Sequence, residues 1–160
     1  MDYAGVIIER KDGKLLFQLR DSNPDIKNQN LWSLFGGGIK KSEKPLYAVT
    51  RELKEELGIK VNKKQLTLLA TFPGFKKRRY IFKLKRNLDI GKLKLGEGDS
   101  LGYFSILEIL KKENVVSSLR LLLLLYPILN LVTSSTPLRV AQVRRFLAEI
   151  LTKRNSSTPS

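Results

Sequence analysis

Three glutamates, Glu52, Glu55 and Glu56, stand at i, i+3 and i+4 in the segment RELKEEL. On a helix this spacing projects all three carboxylates from one face, opposite an apolar stripe of Leu46, Val49, Leu53 and Leu57. Like charges so placed repel by a few tenths of a kcal/mol per pair, a cost that a bound divalent cation reverses. Carboxylate oxygens are hard ligands and suit Mg²⁺, with Mn²⁺ as a substitute. The chain contains no histidine and no cysteine. It therefore has no Ser-His-Asp triad, no thiolate nucleophile and no His- or Cys-bound zinc. Acid–base and metal chemistry fall to carboxylates, with lysine or tyrosine as weaker options. The competing reading is an ordinary solvated Glu-Lys-Arg helix face. The unbalanced glutamates and the glycine run just upstream, Gly36, Gly37 and Gly38, weigh against it, because glycine lets backbone approach a metal or phosphate closely.

These side chains need a scaffold, and the pattern around them alternates strands with helices. Tyr3 to Glu9 and Leu15 to Leu19 read as antiparallel strands joined through Asp12-Gly13, a strong hairpin signal. Leu31 to Phe35 reads as a strand ending in the three glycines. A helix from Lys44 or Pro45 to Leu57 follows, with Ser42 as N-cap, Pro45 in the first turn and Gly58 as the stop. Leu66 to Phe72, Arg79 to Leu84 and Gly102 to Phe104 read as further strands. Leu107 to Glu113, Ser117 to Leu125 and Arg139 to Lys153 read as helices. At 160 residues and 42% apolar content the chain suits one compact domain with a real core.

The run from Gly37 to Ile59, GGIKKSEKPLYAVTRELKEELGI, resembles the Nudix box. Every fixed position of that signature is filled, by Gly37, Glu43, Arg51, Glu52, Leu53, Glu55, Glu56, Gly58 and Ile59. The flanking KLLFQLRDSNP and NLWSLFGGGI also look like the usual approach to the box, and the resemblance extends from about Tyr3 to Tyr126. It implies an α+β fold, an α/β/α sandwich with a mixed, mostly antiparallel central sheet. It also implies a pyrophosphohydrolase in which Glu52, Glu55 and Glu56 hold Mg²⁺ with the Gly36 carbonyl as a backbone ligand. Gly37, Glu43 and Gly58 take structural roles. Arg51, four residues before Glu55 and within reach of Glu43 if the intervening loop folds back, orients carboxylates. The general base differs among family members, leaving Glu52 or a downstream loop carboxylate, Glu97 ahead of Asp99. Lys40 and Ser42 replace an acidic residue and a glycine common in relatives, which alters charge near the entrance. The expected divisions are a Nudix domain over 1–130, a helical extension over 131–154 and a disordered tail over 155–160.

The formal charge is +15, which favours polyanionic partners. Twelve Lys or Arg face a single acid, Asp89, between Lys60 and Gly96. Arg78, Arg79, Phe75 and Trp32 are the candidate substrate contacts, the arginines for phosphate and the aromatics for a base. Phe35 and Phe72 are expected in the core. Pro73 lies near the position where the family's ADP-ribose subgroup carries a proline, whereas the arginine and lysine run 76–79 suits a triphosphate or an RNA 5′ end. The substrate classes are thus ADP-ribose, a nucleotide sugar or an (oxidised) nucleoside triphosphate. The alternatives are an RNA 5′-end pyrophosphohydrolase and a nucleotide-sensing or nucleic-acid-binding module. Nothing reads as a signal peptide or a membrane span, so a cytoplasmic location is expected, with oligomerisation open.

Overall fold

The computed structural model describes residues 1–23, 25, 28–73 and 77–133. Seven strands, β1 (Tyr3–Glu9), β2 (Leu15–Leu19), β3 (Trp32–Ser33), β4 (Phe35–Gly38), β5 (Leu66–Phe72), β6 (Arg79–Lys85) and β7 (Ser100–Phe104), form one sheet. The α-helices are α1 (Pro45–Leu57), α2 (Ile106–Leu110) and α3 (Ser117–Thr133). All strand pairs are antiparallel except β1 with β6, so the expected mixed, mostly antiparallel sheet is present.

β1 is the central strand, and its Ala4, Val6, Ile7 and Ile8 are fully buried because both faces of the sheet are covered. Ala4, Val6, Ile8, Leu16 and Phe35 meet Ala48, Val49, Leu53 and Leu57 of α1 on one side. Ile7, Leu15, Phe17 and Ile81 meet Ile109 of α2 and Leu119, Leu122, Leu123, Tyr126 and Leu129 of α3 on the other. The helices thus form the outer layers of an α/β/α sandwich.

One edge of β1 is shared. Tyr3 to Val6 pair with β4, while Ile8 and Glu9 pair with β2. The chain that carries β3 and β4 crosses between these partners at Leu34, since Trp32 and Ser33 pair with β2 and Phe35 to Gly38 with β1. A fork therefore opens between β2 and β4. This divides the single strand expected over Leu31 to Phe35 into two, and makes the glycine run a paired strand.

The ends of other elements also differ from expectation. Ser42 does not cap α1; Lys44 does, with no side-chain hydrogen bond, and Ser42 sits earlier in the loop at φ 66°. Pro45 at the first helical turn has no N–H to be capped, while Gly58 closes the helix at φ 67° as expected. α2 ends at Leu110, and Ser105 and Glu108 form a capping box at its start. β7 begins two residues earlier than Gly102. α3 continues through Pro127 to Thr133. Its buried side extends past the proline to Leu129 and Val132, and burying two such side chains, roughly 3–6 kcal/mol, offsets a helix-interior proline's ~3 kcal/mol.

A half-buried polar cluster also docks α3. Lys83 Nζ lies 2.5 Å from Glu9 Oε2 and donates to Asn130, and the Tyr126 hydroxyl donates to Glu9 at 2.9 Å. Among the described residues no helix is long and apolar enough to cross a membrane. Helix Arg139–Lys153, most of the expected 131–154 extension and the 155–160 tail lie outside the described residues.

Candidate functional site

α1 carries the glutamates, and 100° per residue puts Glu56 about 40° around the helix from Glu52, toward Val49. The three carboxylates consequently do not share one exposed face. The Glu55 side chain is 50% exposed and that of Glu52 13%, whereas Glu56 is 2% exposed. Its carboxylate enters the fork between β2 and β4. There it accepts from Gln18 Nε2 at 2.8 Å through one oxygen and from the Gly36 N–H at 2.8 Å through the other. Burial pushes the Glu56 carboxyl up to about 7, the Gln18 and Gly36 donors work against this, and Glu52 and Glu97 add to it. Burial raises Glu52 as well, partly offset by Arg51.

Two glycines let β4 pack closely against β1 and the Glu52 carboxylate. Gly36 adopts φ 134°, and a Cβ there would strike the Ala4 carbonyl and Gly5. Gly37 faces the Glu52 carboxylate so closely that a Cβ would overlap it. The backbone and the carboxylate thus form a cradle that tolerates no side chain.

Arg51 ties the surrounding loop to the helix. Its guanidinium donates to Glu43 at 3.0 and 3.1 Å, to the Gly38 carbonyl at 3.0 Å, to Glu52 at 2.6 Å and to Glu55 at 2.9 Å. The loop from residue 38 to Glu43 does fold back, as the Arg51 and Glu43 positions required. Hydrogen bonding to Arg51 holds Glu43 below the usual carboxylate range.

Glu97 joins the site from the loop before β7. The Gly96 N–H donates to the Glu56 carbonyl at 2.9 Å and the Asp99 N–H to the Leu19 carbonyl at 2.9 Å, which pins this loop to the end of α1 and to β2. Glu97 adds a smaller repulsion to both Glu52 and Glu56, after burial and their nearer neighbours.

The candidate substrate contacts fare unequally. Trp32 is 8% exposed, with its ring edge-on to Phe104 at 4.9 Å between centroids. This makes it a core residue rather than a base-stacking platform, because its strand turns it toward α3. Arg79 is exposed at the start of β6, opposite Tyr3, and exposed Arg78 is held through its backbone by Asp2 and Tyr3. Phe75 lies outside the described residues. Phe35 is fully buried and Phe72 partly buried against the core.

Sequence reasoning missed three residues. Gln18 interrupts the otherwise apolar strand LLFQL, a signal that a buried polar partner awaits it. Tyr3 is raised by burial and by the nearby charges of Glu56 and Glu52, with Arg20 and Arg79 acting in the opposite sense. Arg20 follows β2, and its Nε is buried without a hydrogen-bond partner among the described residues, as is Ser33 Oγ across the ladder from Gln18.

The donor set fits a divalent cation in chemistry. It is all oxygen, with the proton affinities of Glu52 and Glu56 raised by burial, around a glycine cradle that a Cβ would fill. Among the described residues no three acidic side chains converge as a closed cage: Gln18 and Gly36 engage Glu56, and Arg51 engages Glu52 and Glu55.

Comparison with known proteins agrees with this geometry. The chain is 41% identical over 56 residues to an RNA pyrophosphohydrolase of Hydrogenovibrio crunogenus, covering 35% of this chain and 30% of that protein. It is 41% identical over 59 residues to the CTP pyrophosphohydrolase of Escherichia coli, covering 37% and 42%. The chain thus spans less than half the length of these curated relatives. The crystal structure of a MutT protein from Methanosarcina mazei superposes with a TM-score of 0.65 at 22% identity, over 81% of this chain and 94% of that one. The family model for the NUDIX domain matches residues 1–124, and the chain belongs to the Nudix family.

Proposed function

We propose that this protein is a metal-dependent pyrophosphohydrolase that cleaves a phosphoanhydride bond in a nucleotide derivative. The observation that carries this reading is the Glu56 carboxylate, buried in the fork between Gln18 and the Gly36 N–H and flanked by Glu52 over Gly37. Burying a carboxylate of high proton affinity costs stability, so its position suits a charge-binding role better than a structural one.

Glu52, Glu55 and Glu56, with the Gly36 carbonyl, would hold Mg²⁺ or Mn²⁺. The bound ion supplies charge neutralisation of the diphosphate and activation of the attacking water. The protein's own groups do the rest. Glu97 accepts the proton of that water, because its loop is tied to α1 through Gly96 and its charge reaches Glu52 and Glu56. Arg51 fixes the orientations of Glu52 and Glu55 while remaining fully protonated, since its carboxylate partners raise its pKa. Arg20, whose buried Nε lacks a partner among the described residues, and Arg79 at the same end of the sheet contact substrate phosphates. The positive charge they supply favours the pentavalent transition state over the ground state.

The test is turnover of a panel of nucleoside triphosphates, nucleotide sugars including ADP-ribose, dinucleotides and 5′-triphosphorylated RNA with Mg²⁺. Glu56→Gln and Glu52→Gln should reduce turnover by at least a hundredfold while the circular dichroism spectrum is unchanged. Absence of metal-dependent turnover across the panel would overturn the hydrolase reading and favour a nucleotide-binding module.

A further inference from the structure

α3 is apolar on both of its sides. Its one charged residue is Arg120, whose guanidinium turns back to the Leu110, Lys112 and Glu113 carbonyls. One side of the helix packs into the core through Leu119, Leu122, Leu123, Tyr126 and Leu129. The other carries Leu121, Leu124, Ile128 and Leu131, all exposed, Leu124 by 62%. A helix that is hydrophobic all round belongs inside a structure rather than on its surface. The 3-4-3 spacing of the four outer residues is that of the a and d positions along a coiled-coil seam.

The same spacing recurs in the sequence that follows. In the segment 139–153, RVAQVRRFLAEILTK, which lies outside the described residues, Val140, Val143, Leu147 and Ile150 repeat the 3-4-3 interval. Helical rotation sets Arg145, Glu149 and Thr152 on the opposite side. Ser134 to Leu138 link the segment to α3, and Pro137 within the link breaks helical continuity. Connections of about 2–5 residues are those of antiparallel helix hairpins. Reversal of the chain midway between Ser135 and Thr136 sets Leu131 against Val140, Ile128 against Val143, Leu124 against Leu147 and Leu121 against Ile150. All four apolar pairs come into register together. A register one residue longer or shorter sets Ile128 against Arg144 or Gln142 instead.

We infer that residues 139–153 form a helix that folds back antiparallel to α3 and covers its outer stripe, adding a layer outside the sandwich. A second copy of the chain fits the stripe less well. The four side chains offer on the order of 400 Å², about half of the ~800 Å² per partner that a stable interface buries. A tethered segment needs less area, because a short link holds it at an effective concentration on the order of 1 mM. An anionic membrane calls for cations beside the leucines, and α3 supplies only Arg120, which is already engaged.

The chain has no cysteine, so an introduced pair reports proximity without background. Full-length Leu124→Cys/Leu147→Cys, treated with copper phenanthroline, should form a disulfide within one chain, read by intact mass and by faster migration on a non-reducing gel. Leu124→Cys/Glu149→Cys, with its second cysteine on the polar side, should cross-link about tenfold more slowly or less. Hydrogen exchange on the unaltered protein gives an independent reading, with amides of 143–151 exchanging about tenfold or more slower than those of 155–160. Equal cross-linking of the two pairs, or no protection of 143–151, would overturn the fold-back helix. A disulfide between chains that grows with protein concentration would overturn it in favour of a second copy. Protection that appears only with phosphatidylserine-containing vesicles would overturn it in favour of a membrane surface.

Discussion

Gln18 Nε2 donates to Glu56 Oε1 at 2.8 Å across 38 residues of sequence, joining the strand next to the central one to the last turn of the glutamate helix. The bond favours the ionised carboxylate. Replacing Gln18 with Leu should therefore raise the proton affinity of Glu56 further, and the acid limb of the kcat/KM profile should move to higher pH. A pH–rate series on wild type and Gln18→Leu measures it, and an unmoved acid limb would show that Glu56 ionisation does not control turnover.

The metal-free protein should lose stability as pH rises. Burial raises the folded-state pKa of Glu56 from 4.5 to about 7, so the folded chain retains a proton that the unfolded chain releases. Its stabilising contribution is complete below pH ~4.5 and disappears as pH passes ~7, a change on the order of 3 kcal/mol. Urea denaturation with chelator at pH 5 and pH 8 should show this fall, and Glu56→Gln should flatten it. Added Mg²⁺ should restore stability at pH 8.

The two glycines should fail differently. Gly37→Ala sets a methyl against the Glu52 carboxylate, which can shift only by leaving the cradle; kcat should drop at least a hundredfold, with a stability loss of about 1 kcal/mol or less. Gly36→Ala meets backbone at φ 134° and should cost more than ~2 kcal/mol. Kinetics and denaturant midpoints on the two variants distinguish the effects.

Arg20 offers a test of substrate contact without metal chemistry. Removing a guanidinium whose Nε lacks a partner among the described residues should leave the denaturation midpoint nearly unchanged while KM for a triphosphate rises about tenfold or more. A variant that unfolds more readily with unchanged KM would assign Arg20 to structure.

Lys83 should matter for stability alone. Glu9 tends upward through burial, but hydrogen bonds from Lys83 and Tyr126 hold it below the ordinary carboxylate value. Its contribution is present above the unfolded pKa and is lost as pH falls through the lower folded one. Lys83→Met leaves that carboxylate without its cation and should cost about 3 kcal/mol near neutrality, with activity per folded molecule preserved. Paired melts at pH 7 and pH 3 should show the difference shrinking in acid.

The glutamate helix, both of its ends within a residue, and the β1–β2 hairpin were legible because each depends on local rules: spacing, a proline, a glycine, an Asp-Gly turn. The depth of Glu56 was not. Its position at the border of the apolar stripe is compatible with either solvent or core, and only the arrival of Gln18 and Gly36 decides between them. The break at Leu34 was hidden for a related reason, since one continuous extended run serves two different partners and no residue marks the exchange. Pro127 marks a helix end by local rules, but the core on both sides of it overrides them. Trp32 could stack on a ligand or pack inside, and the tertiary position of Phe104 settles it.

The crossing at Leu34 has a consequence for the order in which the chain assembles. The Glu56 carboxylate finds its donors only after loops of 20 and 38 residues have closed, and loop closure is the slow, entropically costly part of making such contacts. Neither the β1–β2 hairpin nor the glutamate helix contains the pocket by itself. The docking of α3 onto β1 closes a far longer loop, of 117 residues between Glu9 and Tyr126. On a chain emerging from the ribosome the anion trap in the fork therefore forms after the local elements and before the second helical layer, and metal capture should report an intermediate step of folding rather than the first or the last.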